Sequence, residues 1–367
     1  MSNVRYVGLD VHKDSIVMSV AESGNSEAKV LGTFPNDINK IMRQLKKLSS
    51  DVSLLRVCYE AGPTGFGLSR RLKKEGIDCI VVAPSLVPQK AGLRVKTDRR
   101  DSRKLAHYLR SGDLTEVWVP DEQTEALRDL ERTRDDAKNA ERTARHQLSK
   151  FLLRNDRMYR DGKEWTKKHM LWVRQQKFDD ACRQCVMDDY VKAADDATAR
   201  VKQLMKHIET FIEGHALQPL VKAMMGFRGI QILSATVIAA EIGDLRRFKT
   251  ARQFMAFLGL VPSESSSGNS VKRGSLTKTG NGHVRRILIE AAQHYRHRPV
   301  LSAALRKRQE GISKEVRDIS WEAQQRLCSR LTHFINSGKP RNKAIVALAR
   351  ELAGFIWSLG QVSQLLA

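Results

Sequence analysis

Twice within the first sixty residues a short apolar run ends on an acid, and this constrains the fold more than any other feature of the chain. Arg5-Tyr-Val-Gly-Leu-Asp10 is the first run and Leu54-Leu-Arg-Val-Cys-Tyr-Glu60 the second. Each has the length and apolar content of a buried strand. Residues 14–21 and 29–34 are further strand candidates, so a three-stranded meander opens the chain, with a helix over 37–48 behind it. Gly62-Pro63 breaks the second run before a helix over 65–75, and residues 79–82 make a fifth strand. Lys96-Thr-Asp98-Arg-Arg-Asp101 then starts a third helix.

Acids three apart in a first helical turn share one face, so Asp98 and Asp101 point the same way. Asp10 and Glu60 end strands. Three strands, helix, strand, helix, strand, helix is the order expected of an RNase H-like α/β domain, which would gather all four acids. Oxygen-only donors suit Mg²⁺ or Mn²⁺, ions that activate a nucleophile and stabilise a leaving oxygen in phosphoryl transfer. Any one of these acids alone reads equally well as a helix-start or strand-end solvating group. The metal reading rests on the four occurring in this order.

At 367 residues, 41% of them hydrophobic, the chain can hold two or three domains with real cores. The net charge of +23 is uneven, with 24 Lys and Arg against 9 Asp and Glu over residues 216–367. Such an excess predicts salt-sensitive binding to phosphate backbones, although ribosomal-type binding or a membrane surface would give the same bulk number. No apolar run approaches the roughly 20 residues of a membrane span, and the first residues lack the apolar core of a signal peptide. A cytoplasmic protein with no membrane partner is expected. Five cysteines, an odd and scattered set, read as reduced thiols. Cys182-Arg-Gln-Cys185 has no second Cys or His pair at zinc-ribbon spacing, so zinc is set aside.

From 122 to about 155 there is no Gly or Pro, charges alternate, and apolar residues recur at helical spacing. A second helical pattern over about 188–213 would pair antiparallel with it as a coiled-coil arm over 121–214. Residues 157–186 read as an insertion at its tip, where Trp165 and Trp172 pack a small local core rather than stack on bases. His12 and His283 read as solvated polar residues rather than general bases.

After Gly214 the composition shifts. Residues 225–244 give a glycine-bearing turn and an apolar helix, similar to a helix-hairpin-helix that holds phosphate on backbone amides; a purely structural helix pair reads almost as well. An amphipathic helix over 248–260 leads into a serine-rich loop over 261–283, followed by another apolar helix. Lys272, Arg273, Lys278, Arg285 and Arg286 make that loop a candidate phosphate grip, and a serine hydroxyl there could attack phosphorus. By composition it reads as readily as a linker. Apolar residues at helical spacing over 321–367 close a C-terminal core.

Gly8-Leu-Asp10, Tyr59-Glu60-Ala61, Lys96-Thr-Asp98-Arg-Arg-Asp101, Ala240-Glu-Ile-Gly-Asp244, Phe257-Leu-Gly-Leu-Val-Pro262, Ser266-Ser-Gly268 and Lys278-Thr-Gly280 together resemble the DEDD-type insertion-sequence transposases, also called bridge-RNA-guided recombinases. The resemblance covers nearly the whole chain except 157–186. It implies a RuvC-like metal-binding domain over 1–120, in which Asp10, Glu60, Asp98 and Asp101 hold Mg²⁺. It also implies a mainly α transposase domain over 215–367 whose nucleophile is Ser267, the serine before Gly268, with Ser265 and Ser266 one or two positions away. Implied partners are donor and target double-stranded DNA, a structured non-coding guide RNA, and further copies of the chain in a homodimer or homotetramer, near the prokaryotic nucleoid. The activity implied is DNA cutting and rejoining through a phosphoserine. The alternative is a RuvC-like, structure-selective nuclease that uses the same acids with water as nucleophile.

Overall fold

The computed structural model describes residues 4–88, 97–267 and 270–362, in two compact units, Met1–Pro120 and Asp121–Ala367. Lys96 and Gly268, which belong to the motifs above, lie outside the described residues.

The first unit is a five-stranded sheet in the order β3-β2-β1-β4-β5. Its strands are β1 (Arg5–Val11), β2 (Ser15–Glu22), β3 (Lys29–Pro35), β4 (Leu55–Glu60) and β5 (Asp78–Val82), with α1 (Ile38–Leu48), α2 (Gly67–Lys74) and α3 (Asp98–Ser111) as its helices. β1 to β3 form the antiparallel meander, while β1, β4 and β5 run parallel. Side chains alternate between faces along a strand, and here the alternation separates two cores. Val7, Leu9, Val57 and Tyr59 pack with Ile41 and Leu45 of α1 and Leu72 of α2. The opposite face carries Cys58 and Val82, which pack with Leu105 and Tyr108 of α3. The sheet is therefore a middle layer with helices on both faces, the architecture of an RNase H-like domain.

The second unit opens with α4 (Glu122–Arg154), then α5 (Lys167–Gln175) and α6 (Ala181–Ile212). Leu127 shares a core with Ile212, the Thr198 hydroxyl bonds Glu141 at 3.1 Å, and Phe151 meets Tyr190 edge to face. The contact order is reversed along the two helices, so α4 and α6 run antiparallel. α6 starts seven residues earlier than its apolar spacing predicts, because Asp180 caps it by accepting from the Arg183 amide. The exposed Cys182 and Cys185 thus lie in its first two turns. Trp165 and Trp172 pack beside Leu148, Phe151 and Val173.

The remaining elements are α7 (Gln218–Met225), α8 (Ile232–Ile242), α9 (Ala251–Phe257), β6 (Pro262–Ser267), β7 (Ser270–Leu276), α10 (Gly282–Ala292), α11 (Ala303–Arg308), α12 (Lys314–Asn336) and α13 (Arg341–Leu359). α8, α10, α12 and α13 bury one continuous apolar core through Ile238, Leu288, Leu327 and Leu352. Part of the stretch expected as loop over 261–283 is an antiparallel ribbon of β6 and β7, paired from Pro262 opposite Leu276 to Ser267 opposite Ser270 with a register shift between Pro262 and Glu264. The ribbon is exposed on nearly every residue, so no apolar alternation marked it in the sequence.

Candidate active site

Gly8 decides how close α3 can come to the sheet. A Cβ there would stand 2.3 Å from the Ser102 carbonyl oxygen and 2.4 Å from the Ala106 amide nitrogen, so only glycine lets the helix backbone lie on β1. The buried hydroxyls of Ser19 and Ser102, 2.8 Å apart, tie the same turn of α3 to β2. This docking sets the first turn of α3, with Asp98 and Asp101, against the end of β1. Asp10 follows Gly8 by two, so its side chain leaves the sheet on the α3 face.

His12 and the two aspartates meet there. The His12 Nε2 lies 3.4 Å from the Asp10 carboxylate and 3.5 Å from that of Asp98. Among the described residues, Asp10, His12 and Asp98 form the group whose ligand atoms fall within 4.8 Å of one another. Asp101 is close enough to Asp10 for its charge to act on it, and is itself 3.4 Å from the Lys104 ammonium. Glu60 ends β4, which pairs with β1 through Leu9 and Tyr59, so it stands one strand away on the same sheet edge. The acids expected together are thus placed at one end of one layer, with Asp10 and Asp98 in the tight group and Glu60 and Asp101 around it.

Burial, foremost, raises the Asp10 carboxyl above its ordinary range; His12 opposes the shift, and the charges of Asp98 and Asp101 add to it. A cation between acids crowded this way would relieve both the repulsion and the loss of hydration. Carboxylate oxygens plus one imidazole fit a hard divalent metal. His12 was read as merely solvated; its parity with Asp10 along an extended strand was the available signal.

Ser267 ends β6 and is exposed, as are Lys272 and Arg273 on β7. The Ser266 hydroxyl donates to Glu264 at 2.8 Å, and Arg273 approaches the same carboxylate at 3.7 Å. Lys278 is exposed in the left-handed region, with φ of 55°. The other two cations are engaged within the unit. Arg285 donates to the carbonyls of Leu258 and Thr279 at 3.0 and 3.1 Å, clamping the root of the ribbon, and Arg286 bonds Asp135 of α4 at 2.6 Å. His283 lies 3.5 Å from Asp135, at the far side of that ion pair.

Residues 221–306 match the profile of the transposase IS116/IS110/IS902 family, and residues 7–155 match a transposase profile of the DEDD IS110 type. A protein of Sinorhizobium fredii named "Putative transposase y4qE" is 41% identical over 97% of this chain and 88% of its own length. The transposase for insertion sequence element IS1533 of Leptospira borgpetersenii is 30% identical over 93% of this chain and 98% of its own. A sheet-edge acid cluster, a helical second unit and full-length similarity to both proteins lead to one assignment: the chain belongs to the IS110 family of DEDD-type insertion-sequence transposases.

Proposed function

We propose that this transposase cuts and rejoins donor and target DNA through a phosphoserine on Ser267, assisted by Mg²⁺ at Asp10, Glu60, Asp98 and Asp101, with base pairing by a guide RNA choosing the sites. The observation that carries the reading is the convergence of Asp10, His12 and Asp98 at the edge of a sheet whose next strand ends in Glu60. When bound there, the ion supplies charge for the phosphate oxygens and lowers the barrier to displacement. Asp10 and Asp98 orient it, and His12, within hydrogen-bonding range of both, fixes their rotamers.

In the attack, the bond from the Ser267 oxygen to phosphorus forms as the bond from phosphorus to the departing nucleotide oxygen breaks. The serine proton passes to a basic oxygen of the site, and the departing oxygen takes one up. The ester conserves the broken bond, so religation needs no external energy. Exposed Lys272, Arg273 and Lys278 around the ribbon support a grip on the DNA backbone. The net charge of +23 supports delegating sequence choice to an RNA held by its phosphates. Two or four copies of the chain, with α4 and α6 as a coiled-coil arm, would bring Ser267 and the acids to one phosphodiester.

The test is denaturing capture of protein bound to a nicked donor DNA in the presence of Mg²⁺. Wild type is expected to give a covalent adduct, Ser267→Ala none, and Asp10→Asn at least a hundredfold less. An adduct that persists in Ser267→Ala and disappears in Ser266→Ala moves the nucleophile by one residue. Metal-dependent cleavage with free ends and no adduct would replace this reading with water as the nucleophile.

A further inference from the structure

We propose that the cavity bounded by α4, α8, α10 and α11 is a nucleotide site, taking a phosphate beside Arg308 and Arg228 and an amino-bearing base against Glu131. The cavity has a volume of about 580 Å³, and Glu131, Arg228, Val237, Ile287, His294 and Arg308 all face it. Ligand pockets run from about 300 to 1,000 Å³, so a nucleotide fits.

Glu131 is the feature that calls for a ligand. It is only 5% exposed, and its two carboxyl oxygens, closed to solvent in this structure, have no hydrogen-bond partner among the described residues, so a base meets them once the side chain turns toward the cavity. The neighbouring acids differ: Asp135 is held by Arg286 and Arg134, and Glu241 by Arg132, Arg128 and Asn281. A buried carboxyl left without partners costs on the order of a few kcal/mol, so its persistence points to a group that completes it. Burial is the main reason that its proton is held up to about pH 8; Arg134 opposes this, and Asp135 and Glu241 reinforce it. A carboxylic acid in that state offers one donor and one acceptor, which match the amino group and ring nitrogen of adenine or cytosine.

The other end gathers Arg308, Arg228, His294 and His297, with Glu290 also on the cavity wall. The Arg308 guanidinium is partly desolvated, and among the described residues its buried Nε has no partner. Arg228 donates to the carbonyls of His297, Arg298 and Val300, which fix the guanidinium without neutralising it. Burial first, and then the charges of Arg296, His297, Arg228 and Arg308, depress the basicity of His294. Clustered positive charge at one end and an unsatisfied carboxyl at the other match the two ends of a nucleotide, with Val237 and Ile287 as apolar wall.

The site is tested by calorimetric titration of the full chain with AMP, CMP and UMP in phosphate-free buffer. AMP and CMP should bind at least tenfold more tightly than UMP. Glu131→Leu should remove that preference, Glu131→Gln should retain it, and Arg308→Gln should weaken all three about tenfold. A single strand carrying 2-aminopurine separates two sources of the ligand. A fluorescence rise that Glu131→Leu removes identifies a nucleotide extruded from a strand, whereas AMP binding without that rise identifies a free nucleotide. The absence of binding up to millimolar nucleotide, or a preference for AMP that survives Glu131→Leu, overturns the proposal. Neither Asp10 nor Ser267 lines the cavity, so Ser267→Ala and Asp10→Asn should bind AMP as wild type does, and this inference fails separately from the phosphoserine reading.

Discussion

The acids of the first unit and Glu131 of the second are carboxyl groups in opposite circumstances. Asp10, Asp98 and Asp101 crowd one another at an open sheet edge, with His12 among them. Glu131 stands buried and, among the described residues, without a hydrogen-bond partner, on a helix where Asp135 and Glu141 are ion-paired. Crowding with access to solvent favours a shared cation, because the repulsion is relieved and the ion can arrive from water. Seclusion favours keeping a proton, because no counter-charge repays the loss of hydration. The same functional group is therefore suited to metal ligation in one unit and to neutral hydrogen bonding in the other.

The largest expected effect comes from removing the device that assembles the first site. Gly8→Ala forces a methyl into the α3 backbone and should cost more than about 3 kcal/mol in chemical denaturation of the first unit, with loss of metal-dependent DNA cleavage. Near-wild-type stability in that variant would mean that α3 does not rest on β1 as described.

Next in size is the pH response of Glu131. The folded carboxyl titrates at about 8 and the unfolded one at about 4.5, so the folded state binds the extra proton between those values. Stability is then greatest below the unfolded value and falls as pH rises toward 8, by roughly a few kcal/mol. Glu131→Gln carries no such proton, so its melting temperature should decline less over pH 5 to 8 than that of wild type. Arg134 and Asp135 from α4, Glu241 from α8 and His283 and Arg286 from α10 face the same cavity and are unchanged in that variant. Parallel declines in the two proteins would remove the contrast between the sites.

The smallest effect concerns His12. Its replacement by alanine removes the imidazole that holds the Asp10 and Asp98 side chains and should weaken Mn²⁺ binding about tenfold, read by titration of the ion's magnetic resonance signal. Unchanged affinity would make the imidazole a bystander to an all-oxygen centre.

The order of elements in the first unit was legible because apolar runs, breakers and helix starts agree there, and Asp98 with Asp101 lay visibly on one turn. Gly8 was legible only as a motif residue, since the reason for it is a helix ninety residues later. The β6–β7 ribbon was not legible: its residues face water, and strand patterns in sequence record burial. α6 was read as starting late because its polar first turns carry no apolar stripe, although Asp180 was a usable cap. Glu131 was not singled out among the alternating charges of α4, because helical spacing alone does not say which face a neighbouring helix will cover.

The length of α4 has a mechanical corollary. Thirty-three residues without a break make a rod about 50 Å long. Near its start the rod supplies Glu131 to the nucleotide-sized cavity, and near its end Phe151 and Leu152 lock into the aromatic cluster with α5 and α6. Each residue added or removed between these points turns one end about 100° against the other, like mis-keyed bits on a single shaft. Length variation along this helix is thereby restricted to near-whole turns, and a twist imposed at the aromatic cluster would be transmitted to the side chain of Glu131.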